Sequence, residues 1–113
     1  MNNTEDIIQA ACFKWFWNSF PQYRYLLFAV PNGGLRSKQT ASVMASTGTV
    51  AGIPDLIFVW QGKCFGLECK RPGAGLTGQQ PKVHSVWADK GHPITIFYSL
   101  EEFQNILINI IAN

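Results

Sequence analysis

The sequence predicts an α/β domain, a sandwich in which a mixed β-sheet of about four strands is flanked by helices. Two observations predict it. Apolar residues recur at helical spacing near both ends of the chain, and short apolar runs bounded by turn residues lie between them. The segments follow the order α, β, short α, β, β, α, β, α. A chain of 113 residues suits one hydrophobic core without room for a second, so residues 1–113 are read as one stand-alone domain.

The first helix opens at Thr4, read as the N-cap, with Glu5 and Asp6 in the first turn, where the helix dipole favours acids. Ile7, Ile8, Ala11, Cys12, Trp15 and Phe16 then keep helical spacing up to Pro21. Tyr25 to Val30 (YLLFAV) reads as a buried strand running into the glycine-rich PNGG loop. SKQTASVMAST, closed by Gly48, is a short helix. LIFVW and CFGLECK are two strands joined at Gln61-Gly62. Thr77 and Gln80 form an S/T-x-x-Q capping box opening a helix that ends at Gly91, with Pro81 tolerated because it lies near the first turn. Ile94 to Tyr98 is a further strand. Ser99 and Glu102 form a second capping box, followed by Phe103, Ile106, Leu107, Ile110 and Ile111 on one helical stripe.

Composition narrows the function classes. Hydrophobic residues are 47% and charged residues 14% of the chain, as expected of a folded globular protein and not of a disordered one. Cys12, Cys64 and Cys69 are odd in number and lack zinc spacing, which argues against a disulfide framework and implies a reducing, intracellular setting. No apolar run approaches the roughly 20 residues of a membrane span, so a soluble protein without membrane contact is expected. The net charge of +2 requires any nucleic-acid binding to come from local clusters of Lys and Arg.

The candidate chemistry lies in GIPDLIFVWQGKCFGLECKRPG, residues 52 to 73, where acids and a lysine interrupt apolar runs. If Gln61-Gly62 is a two-residue hairpin turn, Trp60 faces Lys63 and paired residues have numbers summing to 123. Asp55 then faces Glu68, and Lys70 lies on the same side of the sheet. A slip of one residue would send these side chains to the opposite face. Two carboxylates held this close repel unless a cation lies between them, and oxygen ligands suit Mg²⁺ or Mn²⁺. His84 and His92 show no chelating spacing that would suggest zinc. Lys70 adds a positive charge able to orient water or stabilise a phosphate oxygen. The plainer alternative is a Glu68–Lys70 ion pair at a sheet end with Asp55 capping a turn, which explains two of the charges more simply than all three.

Ile53-Pro54-Asp55, twelve residues, then Glu68-Cys69-Lys70 resembles the PD-(D/E)XK nuclease signature. The chain as a whole is similar to a VRR-NUC domain, the virus-type replication-repair nuclease module. The likeness runs through Glu5 and Gln9 in the first helix, PNGGLR at 31 to 36, GIPDL, LECKRPG, Leu76-Thr77 with Gln80, and the segment from Ala88 to His92. The resemblance implies a restriction-endonuclease-like sandwich and a metal-dependent endonuclease acting on DNA. It makes Asp55, Glu68 and the backbone carbonyl of Cys69 metal ligands, and Lys70 the catalytic lysine. Glu5 is implied as the helix-one acid, reaching the metal directly or through water, with Asp6 its competitor. Gln80 is implied to close the site. Branched DNA such as a four-way (Holliday) junction is the implied substrate, in a bacterial or phage-infected cell. The rival readings are a flap or restriction-type nuclease of the same fold and a non-catalytic DNA-binding module.

Arg36, Lys38 and Arg71, in glycine- or proline-containing loops beside the site, can reach phosphates, or can simply be solvated surface. Gly33 and Gly34 would let a substrate approach the backbone closely, though a plain turn also explains them, and Asn32 beside them is a further candidate for DNA contact. His84 is read as an ordinary helix-surface histidine and Cys69 as a core side chain. Phe13, Trp15, Phe16 and Trp17 spread beyond one helical stripe, so part of that set is expected to cover a partner subunit. A homodimer would allow paired cuts, one on each strand.

Overall fold

The computed structural model describes residues 3–31 and 38–113. Its sheet has four strands in the order β1 (Leu27–Ala29), β2 (Leu56–Trp60), β3 (Lys63–Cys69) and β4 (Ile94–Phe97). β1 and β3 run antiparallel to β2, while β4 runs parallel to β3, so the sheet is mixed as the sequence predicts. Helices α1 (Thr4–Ser19), α2 (Lys38–Ser46), α3 (Gln80–Asp89) and α4 (Leu100–Ala112) complete the α/β sandwich.

The helix ends follow local chemistry, with two corrections. Asn3, not Thr4, is the N-cap of α1: its side chain accepts the Asp6 N–H at 2.8 Å. The Thr77–Gln80 box is half made. Gln80 Oε1 accepts the Thr77 N–H at 2.9 Å, but α3 begins only at Gln80. Gly78, at φ +56°, takes the backbone out of helical geometry between the two residues. The Ser99 box forms as expected, with the Glu102 N–H on Ser99 Oγ at 3.2 Å. At the other end of α3, Gly91 N–H donates to Ala88 C=O at 3.0 Å and His92 N–H to Trp87 C=O at 2.9 Å, the paired bonds of a Schellman ending. His92 Nδ1 then accepts the Cys64 N–H at 3.0 Å, tying this corner to β3.

The strand expected over Tyr25 to Val30 is shorter and less buried than its apolar run implied. Pro21–Leu26 is a 3₁₀ helix, and β1 is an edge strand in which only Leu27 is buried. Tertiary contacts override the local pattern: Arg24 Nε donates to the Trp17 C=O at 2.9 Å and its guanidinium stacks 4.9 Å from the Trp17 ring. This folds the segment back on α1. Trp17 also meets Phe13 and Tyr25, Trp15 meets Phe20 and Phe103, and Phe16 meets Phe20 and Phe58. The wide aromatic set of α1 thus makes ring contacts within the chain, with Phe13, Trp15 and Trp17 half-buried.

Strand alternation divides the sheet into two faces. Leu27, Leu56, Phe58, Leu67, Cys69 and Phe97 point to one face and form the core with Cys12 and Phe16 of α1 and Phe103 and Leu107 of α4. Ile57, Gly66, Glu68, Ile94 and Ile96 alternate with them on the opposite face, toward α3. All three cysteines are free. Among the described residues, no helix is long and apolar enough to cross a membrane.

Candidate active site

The hairpin register brings the charges together. Leu56 pairs with Leu67 and Trp60 with Lys63, numbers that sum to 123, as the two-residue turn requires. Gln61 and Gly62 have φ of +48° and +81°, the left-handed pair of a type I′ turn, so Gln61 accepts a conformation usually given to Asn or Asp. The ladder ends at Leu56, one residue short of Asp55. Asp55 is held instead by its side chain, which accepts the Cys69 N–H on Oδ2 at 2.8 Å, and by its C=O, which accepts the Val30 N–H at 2.9 Å.

Packing places the preceding proline as well. Pro54 is fully buried over Gly66, where an added Cβ would lie only 2.7 Å from Pro54 Cγ and Ile94 Cγ1. The missing side chain at Gly66 makes room for the proline that delivers Asp55 to the end of β3.

Glu68 is 0% exposed and Lys70 7%. Burial pushes the Glu68 carboxyl up to about 8, the charge of Asp55 and a hydrogen bond with it add to the rise, Lys70 opposes it, and Glu5 adds to it. Lys70 Nζ donates to Gln80 Oε1 at 2.8 Å, the same oxygen that accepts the Thr77 N–H. Gln80 Nε2 stands 3.5 Å from Glu68 Oε2, a long contact. One turn further along α3, His84 Nε2 lies 3.0 Å from Glu68 Oε1. Burial, and then Lys70, hold the His84 imidazole below its ordinary value. Both shifts disfavour the charged forms, so burial works against an ion pair at this contact.

Glu5 and Asp6 part company at the start of α1. Glu5 Oε2 accepts the Arg71 N–H at 3.1 Å and its C=O receives the Cys69 thiol at 3.4 Å, so α1 is anchored to the end of β3 beside Glu68. Asp6 lies in a separate hollow with Gln9, Phe13 and Phe28. The Cys69 side chain is buried, and burial with nearby acids pushes its thiol up to about 12, which leaves it unreactive. Arg71 is exposed just beyond Lys70. Asn32, Gly33, Gly34 and Arg36 lie outside the described residues, as does the side chain of Lys38. A cleft of about 550 Å³, lined in part by Met44, Val50, Gly52, Ile53, Asp55 and Gln80, opens beside the cluster.

The structure therefore joins Glu5, Asp55, Glu68, Lys70 and Gln80 at one end of the sheet. His84 belongs with them, contrary to its reading as a surface residue. The signal that could have found it is its spacing: Gln80 and His84 are four apart and share one face of α3. Among the described residues, no group of three or more His, Cys, Asp or Glu side chains is assembled to hold a metal ion.

No family model matches the chain, and no curated protein matches it significantly. A solved structure described as "VRR_NUC domain protein" is similar to it with a TM-score of 0.77, over 99% of this chain and 91% of that chain, at 20% sequence identity. At that identity the likeness establishes the fold. The VRR-NUC resemblance carried by the sequence motifs is borne out at that level.

Proposed function

We propose that this chain is a nuclease of the VRR-NUC type that hydrolyses DNA phosphodiesters with Mg²⁺ or Mn²⁺ as cofactor. One observation carries the reading: Asp55, fixed by the Cys69 N–H, and the buried Glu68 meet at the end of β3, with Lys70 held there by Gln80. The donor set fits a hard divalent ion. At Glu68, burial and the charges of Asp55 and Glu5 outweigh Lys70, which leaves room for a further cation, and two carboxylates supply the oxygen ligands such ions prefer. Asp55, Glu68 and the Cys69 carbonyl would hold the ion, with Glu5 reaching it directly or through water. When bound, it supplies an activated water and neutralises phosphate charge.

The side chains of the chain have the remaining roles. Lys70, aligned by Gln80, donates to a phosphate oxygen and stabilises the charge that grows there in the transition state. Arg71, with Arg36 and Lys38, contacts phosphates and sets the position of the strand without reading bases. Four-way junction DNA is the substrate placed first, on the strength of the family resemblance, and paired cuts in it would take two copies of the chain.

Cleavage of junction, flap, splayed-arm and linear duplex DNA, compared on gels with Mn²⁺ or Mg²⁺, tests the proposal. Asp55→Ala, Glu68→Ala and Lys70→Ala should each lower cleavage by roughly 100-fold or more while folding and DNA binding persist. Full activity in any of the three sinks the mechanism. A wild-type protein that binds DNA and cuts none of the substrates leaves the non-catalytic reading in its place.

A further inference from the structure

We infer that His84 is a positioning residue for the metal site, holding the Glu68 carboxylate in one rotation through Nε2 at 3.0 Å from Oε1. The inference rests on the metal-dependent reading above. Each of the two acids has an oxygen fixed by the protein. Asp55 Oδ2 takes the Cys69 N–H at 2.8 Å, and Glu68 Oε1 is met by His84. Gln80 cannot replace the histidine in that role, because its 3.5 Å approach to Glu68 is too long to fix an orientation and its oxygen is already shared by Lys70 and Thr77.

A carboxylate on a strand has rotamers to lose, and a metal ligand that must find its orientation binds more weakly than one already in place. With its proton on Nε2, His84 donates to Glu68 and fixes that orientation from α3. The helix is itself anchored: its Schellman ending and the His92 contact to β3 set its far end, and Gln80 sets its near end. The His84 side chain is only 14% exposed and the nitrogen nearest the site is engaged by Glu68, so it acts through Glu68 and not on substrate.

Mn²⁺ affinity of the whole chain without DNA, by paramagnetic resonance titration or calorimetry, provides the test. His84→Phe keeps the ring volume and loses the donor, and should weaken Mn²⁺ binding by about 10-fold or more. His84→Gln, whose amide nitrogen reaches the Nε2 position, should stay within about threefold of wild type, while His84→Asn, which reaches only the Nδ1 position, should resemble His84→Phe. Saturating Mn²⁺ should return most of the cleavage rate of the His84→Phe protein. A folded His84→Phe protein with wild-type affinity, or a His84→Gln protein as weak as His84→Asn, overturns the inference. Where His84→Phe does not fold, the Gln and Asn pair decides it. A wild-type chain that binds no Mn²⁺ overturns the metal reading itself, and this inference with it.

Discussion

The two faces of the sheet are built from the same strands and do opposite work. On one face Leu56, Phe58, Leu67 and Phe97 close against α1 and α4 with no exposed surface. On the other, residues one step along the same strands present Glu68 and the position of Lys70 to α3, where a missing side chain at Gly66 admits Pro54. The period of two along a strand lets a seven-residue segment, Lys63–Cys69, serve both. One face is held by apolar burial spread over many packed side chains. The other is held by a few directed hydrogen bonds around a buried acid, which cost stability unless a cation balances them.

That division can be broken most forcefully from the core side. Phe58 is fully buried between the Phe16 and Trp60 rings, so Phe58→Ala should lower unfolding stability by about 3 to 5 kcal/mol in urea melts. Cleavage per folded molecule should change little. A matching collapse of activity in the folded fraction would show that the faces are not separable.

A shallower test uses pH on the metal-free protein. The Glu68 carboxyl is raised from 4.5 to about 8 on folding, so the folded state holds its proton longer than the unfolded state does. The stability contributed by this group is therefore complete below about 4.5 and is lost as pH rises to about 8, by an amount on the order of a few kcal/mol. His84, lowered on folding, runs the other way and gains as pH rises toward 6.5. Glu68→Gln isolates the acid: its melting temperature should exceed that of wild type by a margin that grows with pH across that window. A margin independent of pH would contradict the electrostatic account of this face.

The smallest effect lies far from the site. Ser99→Ala removes the cap that accepts the Glu102 N–H and should cost about 1 kcal/mol, with Mn²⁺ affinity unchanged. Loss of metal affinity in that variant would show that the α4 corner is coupled to the acidic face.

Much of this was legible along the chain because its causes are local. The turn at Gln61-Gly62 set the register of two adjacent strands, so a sum of residue numbers was enough to place Asp55 beside Glu68. Ser99 and Glu102 announced α4, since a capping box spans one helical turn, and the order of periodic segments announced the sandwich. Tertiary structure decided what depended on distant partners. Tyr25 and Leu26 left the strand pattern because Arg24 and its neighbours fold back on Trp17, and the Thr77 box opened at Gly78, with Gln80 shared between Thr77 and Lys70. Packing brought Glu5 to the end of β3, and its place on the face of α1 that buries Cys12 and Phe16, seven and eleven residues on, is what separates it from Asp6. His84 met Glu68 across 16 residues in the same way: spacing tells which residues share a helix face, but only packing tells what that face meets.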